Sequence, residues 1–321
     1  MNSASGSLRE LSTNWCRRPK SDDVNACQFE RGGVANKQGD WRLNAWQNLL
    51  RFSATRFTPF GNSMTPNWDA DSLVAIHSTN VDKYKRNFLR QAVCELRFPT
   101  LMELGESRPP AAFVKALRKE YPYIELTNEV TVGIGGAGSN YAHIFRSTKR
   151  TWSVSLKQSA LSVETNAYSD YDHMRERVLR VVEAASKVID SDFFTRIGLR
   201  YINVIDSGAD PVHGWVNPEL VGPILSRSFA GIQEYAGKLQ LVANDGGCLL
   251  QHGIVLKQKH ATGEIGPEYL LDIDSFRNEI LLSDTGVALD AMHAQVFDVF
   301  DWAIGPKARE HLSAETHSKR S

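Results

Sequence analysis

Ser63 is the first residue in the sequence whose setting suggests chemistry, since it lies between Gly-Asn and Met-Thr-Pro in TPFGNSMTP. A serine on a tight turn can act as a nucleophile when a neighbouring base takes its proton. The nearest amines, Lys83 and Lys85, lie in DKYKRN, which is too polar to keep an amine buried and neutral. We therefore predict no catalytic residue, and a Ser63-dependent hydrolase remains the alternative.

Two carboxylates share one face of a predicted strand in LLDID, because Asp272 and Asp274 are two residues apart. Such a pair can hold a hard cation when further protein ligands complete the site. The sequence supplies only distant candidates, His252 and His293. We predict solvent-facing carboxylates and no metal site, with metal-assisted hydrolysis by Asp272 and Asp274 as the alternative.

Charged residues of both signs alternate with apolar residues in two further predicted strands. Glu95 and Arg97 lie on one face of RQAVCELRF, and Arg196 and Arg200 lie on one face of RIGLRYINVI. These residues could form cross-strand ion pairs, or a polar groove in which guanidinium groups recognise an anion. The four residues are the predicted ligand-binding candidates, and both interpretations remain open.

The segment GIGGAG, from Gly133 to Gly138, matches the G-x-G-x-x-G pattern of dinucleotide-binding loops. That function requires a helix directly after the glycines, since the helix N-terminus holds the pyrophosphate. The following SNYAHIFRSTKRTWSVSL has no helical stripe of apolar residues. We therefore predict a hairpin loop here and no cofactor.

The composition restricts the compartment and the partners. Lys plus Arg and Asp plus Glu are equal at 37 each, so no net charge favours nucleic acid or an anionic membrane. The four cysteines form no CxxC pair, the start of the chain has no apolar signal segment, and no apolar run approaches the roughly 20 residues of a membrane span. We predict a cytoplasmic protein with an unknown protein or small-molecule partner; the oligomeric state is left open.

The elements that must position these residues follow from local patterns. RQAVCELRF and FTRIGLRYINVI alternate as half-buried strands, while RTWSVSLKQSALSVET and KLQLVANDGGCLLQHGIVLK predict hairpins. The apolar stripes of RPPAAFVKALRKEYP, YDHMRERVLRVVEAASKVI and VALDAMHAQVFDVFDWAI predict helices, the second capped by Ser169 or Asp170. The pattern indicates a strand region followed by an amphipathic helix, twice over.

We predict an α+β fold with two mainly antiparallel sheet layers, each covered by amphipathic helices, and a possible internal duplication. The predicted divisions are a largely irregular N-terminal extension (1–82), two α+β modules (83–212 and 213–306) and a polar C-terminal tail (307–321). Since the periodic pattern starts only after residue 82, residues 1–80 are expected to be dispensable for folding.

Two resemblances accompany these patterns. GNSMTPNWDADSLVAI, within residues 58–77, resembles the nucleophile segment of repressor-cleaving and signal-peptidase-like serine peptidases, which implies a lysine base on a neighbouring strand. Only about twenty residues separate Ser63 from Tyr84, which leaves no room for the strands that would carry that lysine.

The second resemblance covers roughly residues 84–305. RQAVCELRFP, FVKALRKEYP, YSDYDHMRERVLRVV and RIGLRYINVI are similar to the ordered motifs of a sporadically distributed bacterial family of conserved hypothetical proteins. The resemblance implies no established reaction, and the patchy distribution of the family implies accessory genes or mobile genetic elements. We predict a non-catalytic binding, regulatory or accessory protein of this kind.

Overall fold

A computed structural model describes residues 66–81, 83–133, 136–232, 234–258 and 265–314 of the chain. All of them belong to one compact unit, Ser63–Ser321. Ser63 and the glycine-asparagine turn before it lie outside the described residues. The predictions made for Ser63 therefore stay predictions.

The described residues form nine strands and five α-helices. The strands are β1 (Leu89–Arg97), β2 (Tyr123–Gly133), β3 (Gly136–Arg146), β4 (Trp152–Leu156), β5 (Ala160–Thr165), β6 (Phe193–Ile205), β7 (Tyr235–Ala243), β8 (Gly246–Gln258) and β9 (Ile265–Leu281). The helices are α1 (Ala111–Leu117), α2 (Tyr171–Ala185), α3 (Gly222–Leu225), α4 (Thr285–Ala303) and α5 (Pro306–Ser313). The predicted hairpins and long helices are all among them.

The strands hydrogen-bond side by side in the order β2-β3-β4-β5-β1-β6-β9-β8-β7, and every neighbouring pair is antiparallel. The α+β class is therefore confirmed. The two predicted sheet layers are replaced by this one sheet, because β6 of the first predicted module pairs with both β1 and β9. The arrangement does not by itself confirm the predicted duplication.

One face of the sheet carries the core. Ala92, Cys94 and Leu96 of β1 are buried on it, as the alternation predicts, and so are Leu199 and Tyr201 of β6. Helix α4 packs on β6 and β9, α2 packs on β5, and α1 packs against α2. The side chain of Asp170 begins α2 by accepting a hydrogen bond of 2.8 Å from the His173 amide, which relieves one unpaired donor of the first turn.

Residues 66–81 are part of the core, which differs from the extension predicted for 1–82. Ala70 is buried within a short 3-10 helix, Asp69–Leu73, and Trp68 and Val74 are buried at its two ends. The Asp245 carboxylate accepts hydrogen bonds from the amides of Asp69 and Ala70. The predicted boundary after residue 82 therefore lies too late in the chain.

The predicted polar tail, 307–321, also begins within the fold. Helix α5 buries Ala308 and Leu312 against the core, while 315–321 lie outside the described residues. Within the described part of the chain, no helix has the length and apolar character needed to cross a membrane.

Candidate functional site

A segment before β1 lies over the end of α4 and is held there by acidic side chains. We call residues 76–81 and 83–88 the strap. The Ser78 amide donates a 2.7 Å hydrogen bond to Asp298 Oδ1, and His77 Nδ1 lies 3.3 Å from Asp298 Oδ2. Asp298 is buried, so these contacts supply partners that a buried carboxylate requires.

Asp301, almost one turn further along α4, binds the strap a second time. Its carboxylate accepts hydrogen bonds from Ser78 Oγ at 2.9 Å and from Tyr84 Oη at 2.5 Å, and Arg309 Nε lies 3.2 Å away. Burial opposes ionisation of Asp301, but the bonds from Tyr84 and Ser78 and the charge of Arg309 outweigh burial and lower its pKa. The carboxylate is thus ionised at neutral pH and fixes the Tyr84 ring.

The backbone of the strap is anchored to α5. The amides of Lys85 and Arg86 both donate to the Leu312 carbonyl oxygen, at 2.9 and 3.1 Å. The Phe88 ring stacks on His311 with 5.5 Å between centroids. These contacts place the strap residues from Tyr84 to Asn87 beside the sheet and make them one wall of a pocket.

The pocket has a volume of about 370 Å³ and is bounded by the strap, the N-terminal turn of α2, strand β6 and helix α4. Six of its lining residues are aromatic, which are Tyr84, Tyr168, Tyr171, Tyr201, Phe297 and Phe300. Pockets of roughly 300–1,000 Å³ with mainly apolar walls and few polar groups are typical of small-molecule sites. The pocket therefore meets the size and composition expected of a ligand site.

The rings contact one another and are held by polar bonds. Tyr171 stacks on His293 with 3.8 Å between centroids and 1° between planes, and Tyr84 stacks on Phe297 at 5.8 Å. Tyr171 Oη donates a 2.6 Å hydrogen bond to Asp290 Oδ1. Burial first, and then this bond, raises the pKa of Tyr171, so its hydroxyl stays neutral and continues to donate.

Asn203 brings a polar side chain into the lining of this pocket. It lies on β6 next to Tyr201 on the core face and is only 4% exposed. Among the residues that the structure describes, none forms a hydrogen bond with the Asn203 side chain, whereas Tyr201 Oη lies 3.2 Å from His293 Nδ1. Asn203 thus presents one acceptor and two donor hydrogens to the pocket.

The exposed end of the pocket carries charges of both signs. Lys85 and Arg86 come from the strap, and Asp170 and Asp172 come from the N-terminal turn of α2. Formally these charges cancel. The entrance therefore selects neither anions nor cations by net charge alone.

A serine and a histidine also meet at the pocket, but in the wrong hydrogen-bonding state for nucleophilic catalysis. Ser169 Oγ lies 3.2 Å from His173 Nδ1, and Arg177 Nε donates a 2.8 Å hydrogen bond to His173 Nε2. Because Nε2 must accept from Arg177, the proton of the neutral ring lies on Nδ1 and is donated to Ser169. His173 therefore cannot take the Ser169 proton.

The residues predicted as ligand-binding candidates form ion pairs on the opposite face of the sheet. Arg200 donates to both carboxylate oxygens of Asp272, from Nε at 2.7 Å and from Nη2 at 2.5 Å. Arg196 Nη2 lies 3.0 Å from Asp274 Oδ2, and its Nη1 lies 3.5 Å from Glu95 Oε1. Strands β1, β6 and β9 are neighbours, so the register places these charges side by side.

Arg97 completes this row by donating from Nε to Glu95 Oε1 at 2.7 Å. The prediction of solvent-facing carboxylates at Asp272 and Asp274 is wrong, because Asp272 is buried, Asp274 is half-buried, and both are engaged by guanidinium groups. These carboxylates do not converge with His252 or His293. No cluster of three or more His, Cys, Asp or Glu with metal-site geometry exists among the described residues. The geometry corresponds to the ion-pair interpretation of these side chains.

The glycine-rich segment connects two antiparallel strands. Gly133 ends β2, Gly136 begins β3, and these two residues pair with each other. The predicted hairpin is confirmed, and a strand instead of a helix follows the glycines.

Asn203 and His293 were not among the predicted ligand-binding residues, although the sequence contains a signal for Asn203. In RYINVI the alternation that buries Leu199 and Tyr201 also places Asn203 on the core face. An asparagine at a core-facing position of a central strand needs a partner. His293 lies in the long apolar helix α4, whose sequence does not indicate which face of the helix lines the pocket.

Comparison of the chain with protein-family models gives no match, and comparison with curated proteins gives none either.

Proposed function

We propose that the protein is a non-catalytic binding protein that takes a small ligand into the pocket between the strap, α2, β6 and α4. The observation that carries this proposal is the buried Asn203 amide, which faces a cavity of about 370 Å³. The amide has no hydrogen-bond partner among the described residues, so its donor and its acceptor remain available to a molecule in the cavity. A ligand that bonds to the amide would gain roughly 0.5–1.5 kcal/mol for each hydrogen bond.

The chemistry around the pocket favours binding over catalysis. Ser169 lacks an accepting base because Arg177 fixes the tautomer of His173. The thiol of Cys94, on the core face of β1, is buried, and burial raises its pKa, which keeps it in the unreactive thiol form. Asp272 and Asp274 bind arginines on the other face. We therefore keep a hydrolase only as the alternative for Ser63.

The proposal extends to family and cellular setting. We place the chain in the bacterial family that its motifs resemble, as a cytoplasmic accessory or regulatory component associated with mobile genetic elements. Tyr201 and Asn203 both belong to the RIGLRYINVI motif on which the resemblance depends, and both line the pocket. If the motif marks the family, the pocket is the feature that its members would share.

We also propose that the two halves of the sheet arose by duplication. Each half begins with one strand, passes through a helical connection, returns through a meander to pair with that strand, and ends in a long helix. The first half is β1 to α2 with four meander strands, and the second is β6 to α4 with three. Shared connectivity supports this history, while the two halves do not share residues.

The proposed function is tested by ligand capture on the full chain. The protein is incubated with a bacterial metabolite extract, desalted and measured by native mass spectrometry beside Asn203→Leu. We expect an added mass on the wild type that the variant lacks. The matched control is Asn217→Leu, because the Asn217 side chain donates to Trp302 and accepts from Glu219 away from the pocket. Identical spectra for wild type and Asn203→Leu would refute the proposal.

A further inference from the structure

We infer that the ligand of this pocket is a planar nitrogen heterocycle with a hydrogen-bond donor and an acceptor side by side on one edge, carried by an uncharged substituent, as in a nucleoside or a pterin. The inference rests on the proposed function and names its ligand class. It is drawn from three features of the pocket, which are its rings, its amide and its entrance.

The rings favour a flat ligand. Tyr171 and His293 are parallel within 1°, Tyr84 and Phe297 are stacked at 5.8 Å, and the His293 and Phe297 centroids are 6.5 Å apart. Both stacked pairs therefore contribute to one aromatic lining. Flat π-systems gain from offset or edge-to-face contacts with such rings beyond the area they bury. An aliphatic ligand of the same size would lose that part of the interaction.

The Asn203 amide favours a ligand edge that offers one hydrogen-bond donor and one acceptor. Asn203 is nine-tenths or more buried, lies among these rings, and keeps its acceptor oxygen and its donor nitrogen together. Asparagine pairs in a bidentate manner with an edge that offers one donor and one acceptor, as it does with the N6 and N7 edge of adenine. A hydrocarbon ring would leave both atoms of the amide unsatisfied.

The entrance favours an uncharged substituent. A ligand with several phosphates would meet Asp170 and Asp172 as well as Lys85 and Arg86. The repulsion from the two carboxylates offsets the attraction from the two cations. The cavity of about 370 Å³ is also at the lower end of small-molecule sites, which suits one heterocycle and a small substituent better than a dinucleotide.

The test is calorimetric titration of the full chain with matched pairs of small molecules. Adenosine is compared with purine riboside, which lacks the exocyclic donor, and uridine with dihydrouridine, whose ring is no longer flat. Guanosine, cytidine and pterin complete the panel, and AMP tests the entrance. We expect at least one planar heterocycle to bind. Its affinity should be at least tenfold higher than that of the counterpart that lacks the exocyclic donor or is not flat, a ratio equivalent to about 1.4 kcal/mol.

Two variants assign the binding to the pocket. Asn203→Leu removes the amide and Phe297→Leu removes a ring while keeping an apolar side chain, and each should weaken the best panel member at least tenfold. If Asn203→Leu does not fold, Phe297→Leu still decides. Binding that neither variant weakens would overturn the inference.

The remaining outcomes separate this inference from the proposed function. If no panel member binds while native mass spectrometry finds an aliphatic ligand that Asn203→Leu loses, the ligand class is wrong and the binding function stands. If AMP binds at least tenfold more tightly than adenosine, the inferred uncharged substituent is wrong. If neither the panel nor the extract supplies a ligand, both proposals fail.

Discussion

Asp71 Oδ1 lies 2.5 Å from Nη2 of Arg277, whose side chain has no exposed surface. Arg277 also donates to Ser275 Oγ, to the Phe276 carbonyl oxygen and to Gln295 Oε1, at 3.2, 2.9 and 3.3 Å. None of these three acceptors is ionised, so Asp71 is the carboxylate that balances the buried guanidinium. The segment before the strap is thereby tied to β9.

Removal of Asp71 should therefore be costly. We expect Asp71→Asn to lower the free energy of unfolding by about 3 kcal/mol, since the change leaves the buried Arg277 guanidinium without a compensating carboxylate. The matched control is Asp69→Asn on the same 3-10 helix, because the Asp69 side chain is exposed and should contribute less than about 0.5 kcal/mol. Urea denaturation of both variants measures the difference, and equal stabilities would contradict this role of Asp71.

Deletion of residues 1–80 tests whether residues 66–80 are needed for folding. The sequence pattern predicts that the truncated chain unfolds cooperatively near the wild-type temperature, whereas the burial of Trp68, Ala70 and Val74 predicts the opposite. We expect a chain without these residues to lose its cooperative transition in calorimetry. A transition close to that of the full chain would favour the original boundary at residue 82.

Asn203 should contribute to ligand binding and not to the stability of the ligand-free protein. Since its amide has no partner among the described residues, Asn203→Leu breaks no hydrogen bond there and should leave the free energy of unfolding of the ligand-free protein within about 0.5 kcal/mol of the wild type. Asn217→Leu, which breaks bonds to Trp302 and Glu219, should lower it by about 1 kcal/mol. Denaturant titration of both variants provides the comparison. A destabilised Asn203→Leu together with a neutral Asn217→Leu would show that Asn203 is a structural residue.

The ion pairs on the opposite face should differ in strength according to burial. Asp272 is 10% exposed and Arg200 engages it with two bonds, so Arg200→Ala should cost about 1–3 kcal/mol. The Arg97 side chain is 54% exposed, so Arg97→Ala should lower the free energy of unfolding by less than about 0.5 kcal/mol. A double-mutant cycle of Arg200→Ala with Asp272→Ala should give a clear coupling energy. No coupling would exclude pairing as the role of Arg200.

The strap should make stability depend on pH through Asp301. Its folded pKa lies below the unfolded value of about 3.9, so its contribution is complete above that value and is lost as the pH falls through the folded pKa. We expect Asp301→Asn to be less stable than the wild type by about 1 kcal/mol or more near pH 7, with the difference shrinking as the pH falls below the unfolded pKa. Denaturation across this range measures it, with Asp69→Asn as the exposed control. A difference independent of pH would contradict the assignment.

Local patterns predicted the elements of the fold, and distant pairings decided the rest. Asp170 as a helix cap, the hairpin turn between Ala243 and Gly246, and the hairpin at Gly133 all depend on neighbouring residues. The single sheet depends on pairing of β1 with β6 and of β6 with β9, which no local pattern specifies.

The candidate site shows the same limit. The alternation in RIGLRYINVI places both arginines correctly on one face, but the identity of their partners required the register of β9. Likewise, the contact of Asp71 with Arg277 spans 206 positions, which explains why residues 66–81 look like an appendage in the sequence. Asn203 could have been recognised from its core-facing position, whereas the strap that closes its pocket could not.

The most direct test of the central claim is the side-chain amide signal of Asn203 in a proton–nitrogen spectrum of the full chain. Its two proton resonances are assigned by their absence from the spectrum of Asn203→Leu. When desalted metabolite extract is added, we expect this pair to shift while the Asn217 pair, already bonded to Trp302, stays in place. If a ligand saturates the protein and the Asn203 pair does not move, the pocket is not the binding site.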